Sequence, residues 1–300
     1  MYSLSRAEDI MQIFIDSADI DEIKEALSWG IVSGITTNPA LIQKAAKKHG
    51  MDTFGRYLDE ILNLVRKKAP RNSEGTVSLE VIGQAHEGET LDACLIREGT
   101  VLWERFNRVA ENVVIKVPIN PWTQQGDDKY AGIKAVNHLS KKEIKTNVTL
   151  VHSPAQAIMA AEAGATYASP FLGGLDDAIA PKTGRTKDKF GYYPREGESE
   201  GHYGIAHDST SMMVSGAHLV ETIAQIYRIQ EYETKILAAS LRHPVQVAEA
   251  AAAGAHLATI PFPVLEKMLD HPLTKDRMDA FTAAADDVPE YKKLFETETP

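Results

Sequence analysis

Short, β-branched apolar runs alternate with longer stretches of helical periodicity along the whole chain. The runs lie at 12–16, 31–36, 76–82, 113–117, 145–150, 166–169, 235–239 and 256–260. Between them, residues 20–29, 54–68, 93–110, 155–163, 212–228 and 245–253 repeat their apolar positions at intervals of three and four. That spacing puts one stripe of an α-helix against a core. A strand followed by such a helix is the βαβ signature, and parallel strands covered on both faces read as continuous apolar runs. Eight such strands predict an α/β fold, a closed (β/α)8 TIM barrel formed as a single domain over residues 1–300. An open, doubly wound sheet is the rival. It is disfavoured because no Gly-x-Gly-x-x-Gly turn follows the first strand. No internal repeat and no Gly/Ser linker divides the chain.

Two stretches depart from a minimal barrel. Residues 178–207 are polar, Gly-rich and without periodicity, and they follow the sixth strand. They are expected to form a βα loop on the face where barrel active sites lie, as a cover or mobile segment. Residues 273–300 read as helix beyond the barrel, placed to cover its bottom or to reach a neighbouring subunit.

Composition narrows the function class. A net charge of −10 disfavours nucleic acid and anionic membranes as partners, although a local cationic pocket for a small anion stays possible. The single cysteine, Cys94, allows no intrachain disulfide and fits a reducing compartment. With no signal-peptide run at the start and no apolar stretch of membrane-spanning length, the expectation is a cytoplasmic protein.

The candidate chemistry sits at strand ends. Lys116, in NVVIKVPI, lies within an apolar strand, where a buried ammonium is costly unless paired. Desolvation favours the neutral amine, which attacks carbonyls, whereas a strand-end lysine can also simply snorkel to water. Asp16 ends the first strand and suits proton transfer at a substrate hydroxyl, or the capping of the next helix, a role open to Asp19 as well. Thr36, Thr37 and Asn38 end the second strand, Asn38 also fitting a turn before Pro39. Glu80 lies in the third strand, Thr149 in the fifth, Ser169 at the end of the sixth, and Ser240 and Arg242 after the seventh. Each alone has an ordinary structural role. Together they put polar groups at the C-terminal ends of consecutive strands, which is where a barrel gathers an active site. No zinc spacing, Gly-x-Ser-x-Gly elbow or Walker loop is present, and His202 and His207 read as solvated loop residues. A lysine with carboxylates and hydroxyls suits Schiff-base carbonyl chemistry with no metal and no cofactor.

The segments FIDSAD, GITTNPALI, VVIKVP, TNVTLVHSPAQAIMAAEAGATYASPF and AASLRHPVQ, in this order over roughly residues 12–272, resemble the transaldolase family, including its fructose-6-phosphate aldolase relatives. The resemblance implies a (β/α)8 barrel, class I aldol chemistry on sugars or sugar phosphates, and a homo-oligomer. It makes Lys116 the Schiff-base lysine, Asp16 the acid/base, and Glu80 with Thr149 the pair that activates a water. It makes Asn38, Thr36, Ser169, Phe171, Ser240 and Arg242 substrate-binding positions, Arg242 as a phosphate contact. Glu80 and Phe171 match transaldolase proper, where the aldolase relatives carry glutamine and tyrosine. A simple aldolase releasing a free ketone and a non-catalytic sugar-binding barrel are the alternatives. One position departs: SPFLGGLDD puts Gly174 where the family carries a phosphate-binding arginine. Either the substrate lacks an ordinary phosphate or another cation replaces that arginine. Lys182, Arg185, Lys187, Lys189 and Arg195 of the long loop are the candidates.

Overall fold

A closed ring of parallel strands needs a helix over the outer face of each, and the order of elements supplies it. The computed structural model describes residues 10–50, 54–70, 73–121, 128–179 and 213–295. The first half runs β1 Gln12–Asp16, α1 Ile20–Ser28, β2 Val32–Thr36, α2 Pro39–His49, α3 Phe54–Lys68, β3 Val77–Glu80, α4 Leu91–Ala110 and β4 Val113–Pro118. It continues through α5 Ala131–Ser140, β5 Thr146–Val151, α6 Pro154–Glu162, β6 Tyr167–Pro170 and α7 Leu172–Ile179. The last part holds α8 Gly216–Gln230, β7 Lys235–Ala238, α9 Pro244–Ala252, β8 Leu257–Ile260, α10 Phe262–Lys267, α11 Pro272–Asp286 and α12 Pro289–Lys293. The strands close in sequence order, with β8 paired in parallel to β1, so the predicted (β/α)8 barrel is the architecture.

The expected strands all form, with ends displaced by a few residues. The third stops at Glu80, two residues short of its expected end at Ile82. The long segment after the sixth strand starts later than expected, because α7 carries Ala178 and Ile179 as helix. Residues 180–207, with Lys182, Arg185, Lys187, Lys189, Arg195, His202 and His207, lie outside the described residues. So does much of the elaborated segment after β4. Helix α2 hid from the apolar pattern because it buries only Ala45.

Most of the core lies between strands and helices. A smaller cluster, Phe14, Val114, Tyr167, Leu237 and Leu257, fills the barrel interior. Gly34 makes room for it: a Cβ there would lie 2.5 Å from the Phe14 ring and 2.7 Å from the Thr76 carbonyl oxygen. Below, the Tyr167 hydroxyl donates to Glu74 Oε2 at 2.7 Å, and Lys235 pairs with Glu74. The interior is thus closed at the bottom. Two residues further along β1, β4, β6 and β8, the inward positions turn polar.

Candidate active site

Side chains alternate across a strand, so the residue two beyond an inward apolar group also faces in. Phe14, Val114, Tyr167 and Leu257 thereby set Asp16, Lys116, Ser169 and Thr259 as the next interior layer. Strand register brings Glu80 beside Lys116, Lys116 beside Asn147, and Asp16 beside Thr36. The cavity above this layer has a volume of about 130 Å³. Asp16, Lys116 and Asn147 line it with Thr36, Asn38 and Thr259, and Ser169, Phe171, Ala239 and Ser240 complete the wall.

Lys116 is 6% exposed. Its Nζ lies 3.0 Å from Glu80 Oε2 and donates to the Thr37 carbonyl at 3.2 Å. This ammonium is held inside the barrel, and the snorkelling alternative is set aside. Asp16 does not cap α1; Asp19 does, accepting from the Asp21 N–H at 3.0 Å. Asp16 Oδ1 accepts instead from the Thr36 hydroxyl at 2.7 Å, and Thr36 and Thr259 share a hydrogen bond of 2.6 Å. Burial raises the Asp16 carboxyl above its ordinary pKa, while the Lys116 charge and the Thr36 hydroxyl pull the other way. Burial likewise raises Glu80 against the pull of Lys116, and the charge of Asp16 adds to the rise. One cation thus faces two carboxyls, both inclined to hold a proton. Such a group can pass protons among its members without bulk water.

Asn38 fills both roles open to it. Its Oδ1 caps α2 by accepting from the Leu41 N–H at 3.0 Å, and it lines the cavity. Ser169 Oγ donates to Asn147 Oδ1 at 2.7 Å, and Asn147 Nδ2 donates to Ser78 Oγ at 3.2 Å, so this side of the cavity is a fixed hydrogen-bond chain. Ser240 holds φ at 61°, a left-handed conformation rare for a side-chain-bearing residue and common at functional sites.

Three expected residues stand apart from the cavity lining: Glu80, which reaches it through Lys116, and Thr149 and Arg242. Thr149 is fully buried opposite Pro118, and its hydroxyl meets no protein partner among the described residues. Arg242 lies further out, with its guanidinium paired to Asp177. Asn147 and Thr259 were missed by the sequence reading. Among the described residues, one trio could offer metal-type ligands: Asp19, Asp21 and His49. Lys48 bridges both of its carboxylates, at 2.8 and 3.2 Å, and supplies the compensating cation itself. No helix among the described residues is long and apolar enough to cross a membrane.

The family model described as Transaldolase/Fructose-6-phosphate aldolase matches residues 13–299. A "Probable transaldolase" of Caldicellulosiruptor saccharolyticus is 41% identical over 280 residues, covering 93% of this chain and 99% of that one. A protein of the same description from Hydrogenobaculum sp. is 39% identical over 279 residues, covering 93% of this chain and 98% of its own. Another from Exiguobacterium sibiricum is 41% identical over 273 residues, covering 91% and 97%. The solved thiamine phosphate pyrophosphorylase of Pyrococcus furiosus aligns with a TM-score of 0.42 at 9% identity over 85% of this chain and 88% of that one, too loose to bear on function.

Proposed function

The chain belongs to the transaldolase/fructose-6-phosphate aldolase family, and from that membership we propose that it moves a three-carbon dihydroxyacetone unit from a ketose to an aldehyde through a Schiff base on Lys116. The observation that carries the proposal is the Lys116 Nζ held 3.0 Å from Glu80 Oε2 on the floor of a small polar cavity that Asp16 also lines.

In its unprotonated form the Lys116 amine adds to C2 of the ketose. The carbinolamine loses its oxygen as water, with the proton supplied from Glu80, and an iminium remains. Asp16 takes the proton from the C4 hydroxyl. The C3–C4 bond breaks, its electron pair flows to the iminium nitrogen, and an aldehyde leaves. The enamine stays on Lys116. When a second aldehyde enters, C3 of the enamine attacks it, and Asp16 returns its proton to the new alkoxide. Water then adds to the iminium, with Glu80 as base, and frees the amine. The buried Thr149 hydroxyl, which has no hydrogen-bond partner among the described residues, would help to hold that water. Asn38, Ser169 and Asn147 offer amide and hydroxyl groups to the sugar hydroxyls.

The test is to incubate the protein with fructose and with fructose 6-phosphate, reduce with borohydride, and map the adduct. A three-carbon adduct on Lys116 is expected. Assays with and without an acceptor aldehyde separate transfer from release of a free ketone. If no ketose modifies Lys116 in folded protein, the aldol mechanism falls and a sugar-binding barrel takes its place.

A further inference from the structure

A ketose held at Lys116 by its C2 leads out of this small cavity along the wall formed by Phe171, Ala239 and Ser240. Beyond them lie Gly173 and Gly174, in the first turn of α7. A Cβ on Gly174 would stand 3.1 Å from His152 Nε2 and 3.4 Å from Phe171 Cβ. A Cβ on Gly173 would stand 3.1 Å from Arg242 Nε and 2.2 Å from the Ser240 carbonyl oxygen. The glycine pair is therefore flanked by His152 on one side and Arg242 on the other. The imidazole fills the space that a side chain at position 174 would use, and it packs on the Phe171 ring with centroids 5.6 Å apart.

His152 is the counterpart of Arg242 one strand pair away. His152 follows Leu150, which holds φ at 60°, as Arg242 follows Ser240, which holds φ at 61°. The His152 N–H donates to Gln156 Oε1 at 2.8 Å, and the Arg242 N–H donates to Gln246 Oε1 at 2.9 Å. The local sequences, LVHSPAQ and SLRHPVQ, share the proline and glutamine that build this turn. The barrel thus presents the two side chains at equivalent heights after β5 and β7, on either side of the turn after β6.

Among the described residues, their chemistry is not that of an anion site. His152 Nδ1 lies 2.9 Å from the Leu150 carbonyl oxygen, which can only accept, so Nδ1 carries the proton and the neutral ring leaves Nε2 as an acceptor. Burial lowers the His152 pKa and favours that neutral form, with the Leu150 bond opposing. The Arg242 guanidinium is already compensated by Asp177. A phosphate here would meet a lone pair and a neutralised cation. A sugar hydroxyl would donate to His152 Nε2 and accept from Arg242.

We propose that His152 and Arg242 together read the far end of the substrate, and that the group they read is an uncharged hydroxyl, so that this protein prefers unphosphorylated sugars. The inference rests on the aldol reading above. The ketose giving the strongest Lys116 adduct serves as common donor, and D-glyceraldehyde is compared with D-glyceraldehyde 3-phosphate as acceptor. The wild-type KM is expected to be lower for D-glyceraldehyde by about tenfold, the worth of about one hydrogen bond. His152→Phe, which keeps the packing on Phe171, should remove that advantage by raising the KM for D-glyceraldehyde alone. A His152→Ala, Gly174→Arg double variant should reverse the preference. A trapped adduct together with a wild-type preference for the phosphorylated acceptor overturns this inference and leaves the aldol reading intact. So does a His152→Phe protein with an unchanged KM ratio. Absence of any adduct removes both.

Discussion

At the floor of the barrel one ammonium faces two carboxyls, and the roles open to them follow from where each oxygen is tied. Glu80 is bound to the Lys116 nitrogen, so it is placed to move protons on and off the carbinolamine. Asp16 is held by Thr36, which Thr259 holds in turn, and in the proposed mechanism it serves the carbon-bond step. Glu80→Gln keeps the shape and removes the proton. Turnover is expected to fall by about 10²–10⁴-fold, the usual worth of a positioned acid or base, with a smaller change in KM. Asp16→Asn should cost a similar factor while still allowing the Schiff base to be trapped. Loss of trapping in Asp16→Asn would mean that Asp16 serves imine formation instead. Asp16 must be ionised to take the hydroxyl proton, and burial raises its pKa. The rate should therefore fall, as the medium is acidified, above the pH of about 4 at which an exposed carboxylate titrates. A profile of kcat against pH that stays flat down to that point would contradict the assignment. Much of this layer was legible in the sequence, because a lysine and two acids in apolar runs, each explicable alone, converge at the C-terminal ends of consecutive strands. Asn147 and Thr259 were not, because a strand buried on both faces gives no local sign of which alternate residues face the barrel. The ion pair between Arg242 and Asp177 spans 65 residues, and nothing local announces it.

At the scale of elements, the strands were readable from β-branched apolar runs and six helices from apolar positions three and four apart, while the helix starts are fixed by caps and prolines. Ser153 and Ser215 accept at the starts of α6 and α8, and prolines open α2, α6 and α9. Helix α7 was hidden by its two glycines, poor helix formers that are here because neighbours approach too closely for a side chain. One buried residue ties this helix to the next two. Asp176 Oδ1 accepts from the Gly216 N–H at 2.7 Å, and its Oδ2 accepts from Gln246 Nε2 at 2.8 Å. Asp176→Ala should therefore destabilise the protein by about 1–3 kcal/mol in urea unfolding, the cost of leaving buried donors unmet. Burial pushes the Asp176 pKa up to about 7 from 3.8, against the two hydrogen bonds. A carboxyl raised in the folded state adds stability fully at pH below its unfolded value, and this is lost as pH rises through the folded one. The stability of wild type relative to Asp176→Asn, whose side chain cannot ionise, should accordingly decline between pH 4 and 7. Matched thermal melts across that range check it, and a difference that holds constant or grows with pH would rule it out.

At the scale of the molecule, the barrel is complete before α11 begins. Neither α11 nor α12 contains a buried residue, yet α11 carries Leu273, Met278 and Phe281, and Leu294 and Phe295 follow α12, each more than half exposed. The sequence foresaw a helix beyond the barrel and left open whether it would cover the bottom or reach outward. The burial pattern argues against cover, since a helix laid across the barrel floor would hide a stripe of its own residues. Exposed apolar side chains concentrated on one terminal arm mark a surface that associates, and the occupant expected here is a second copy of this chain, because the arm is part of every copy. In sedimentation, the full chain should run well above the monomer mass of 32.9 kDa. A chain ending at Asp270 should move toward the monomer without losing its cooperative melt, since no buried residue is removed. It should also retain the Lys116 adduct, because every residue lining the cavity precedes the cut. A full-length protein that sediments as a monomer would exclude this arm as a self-association surface. A truncated protein that stays oligomeric would move the interface onto the barrel itself, and the exposed apolar residues of α11 and α12 would then need another partner.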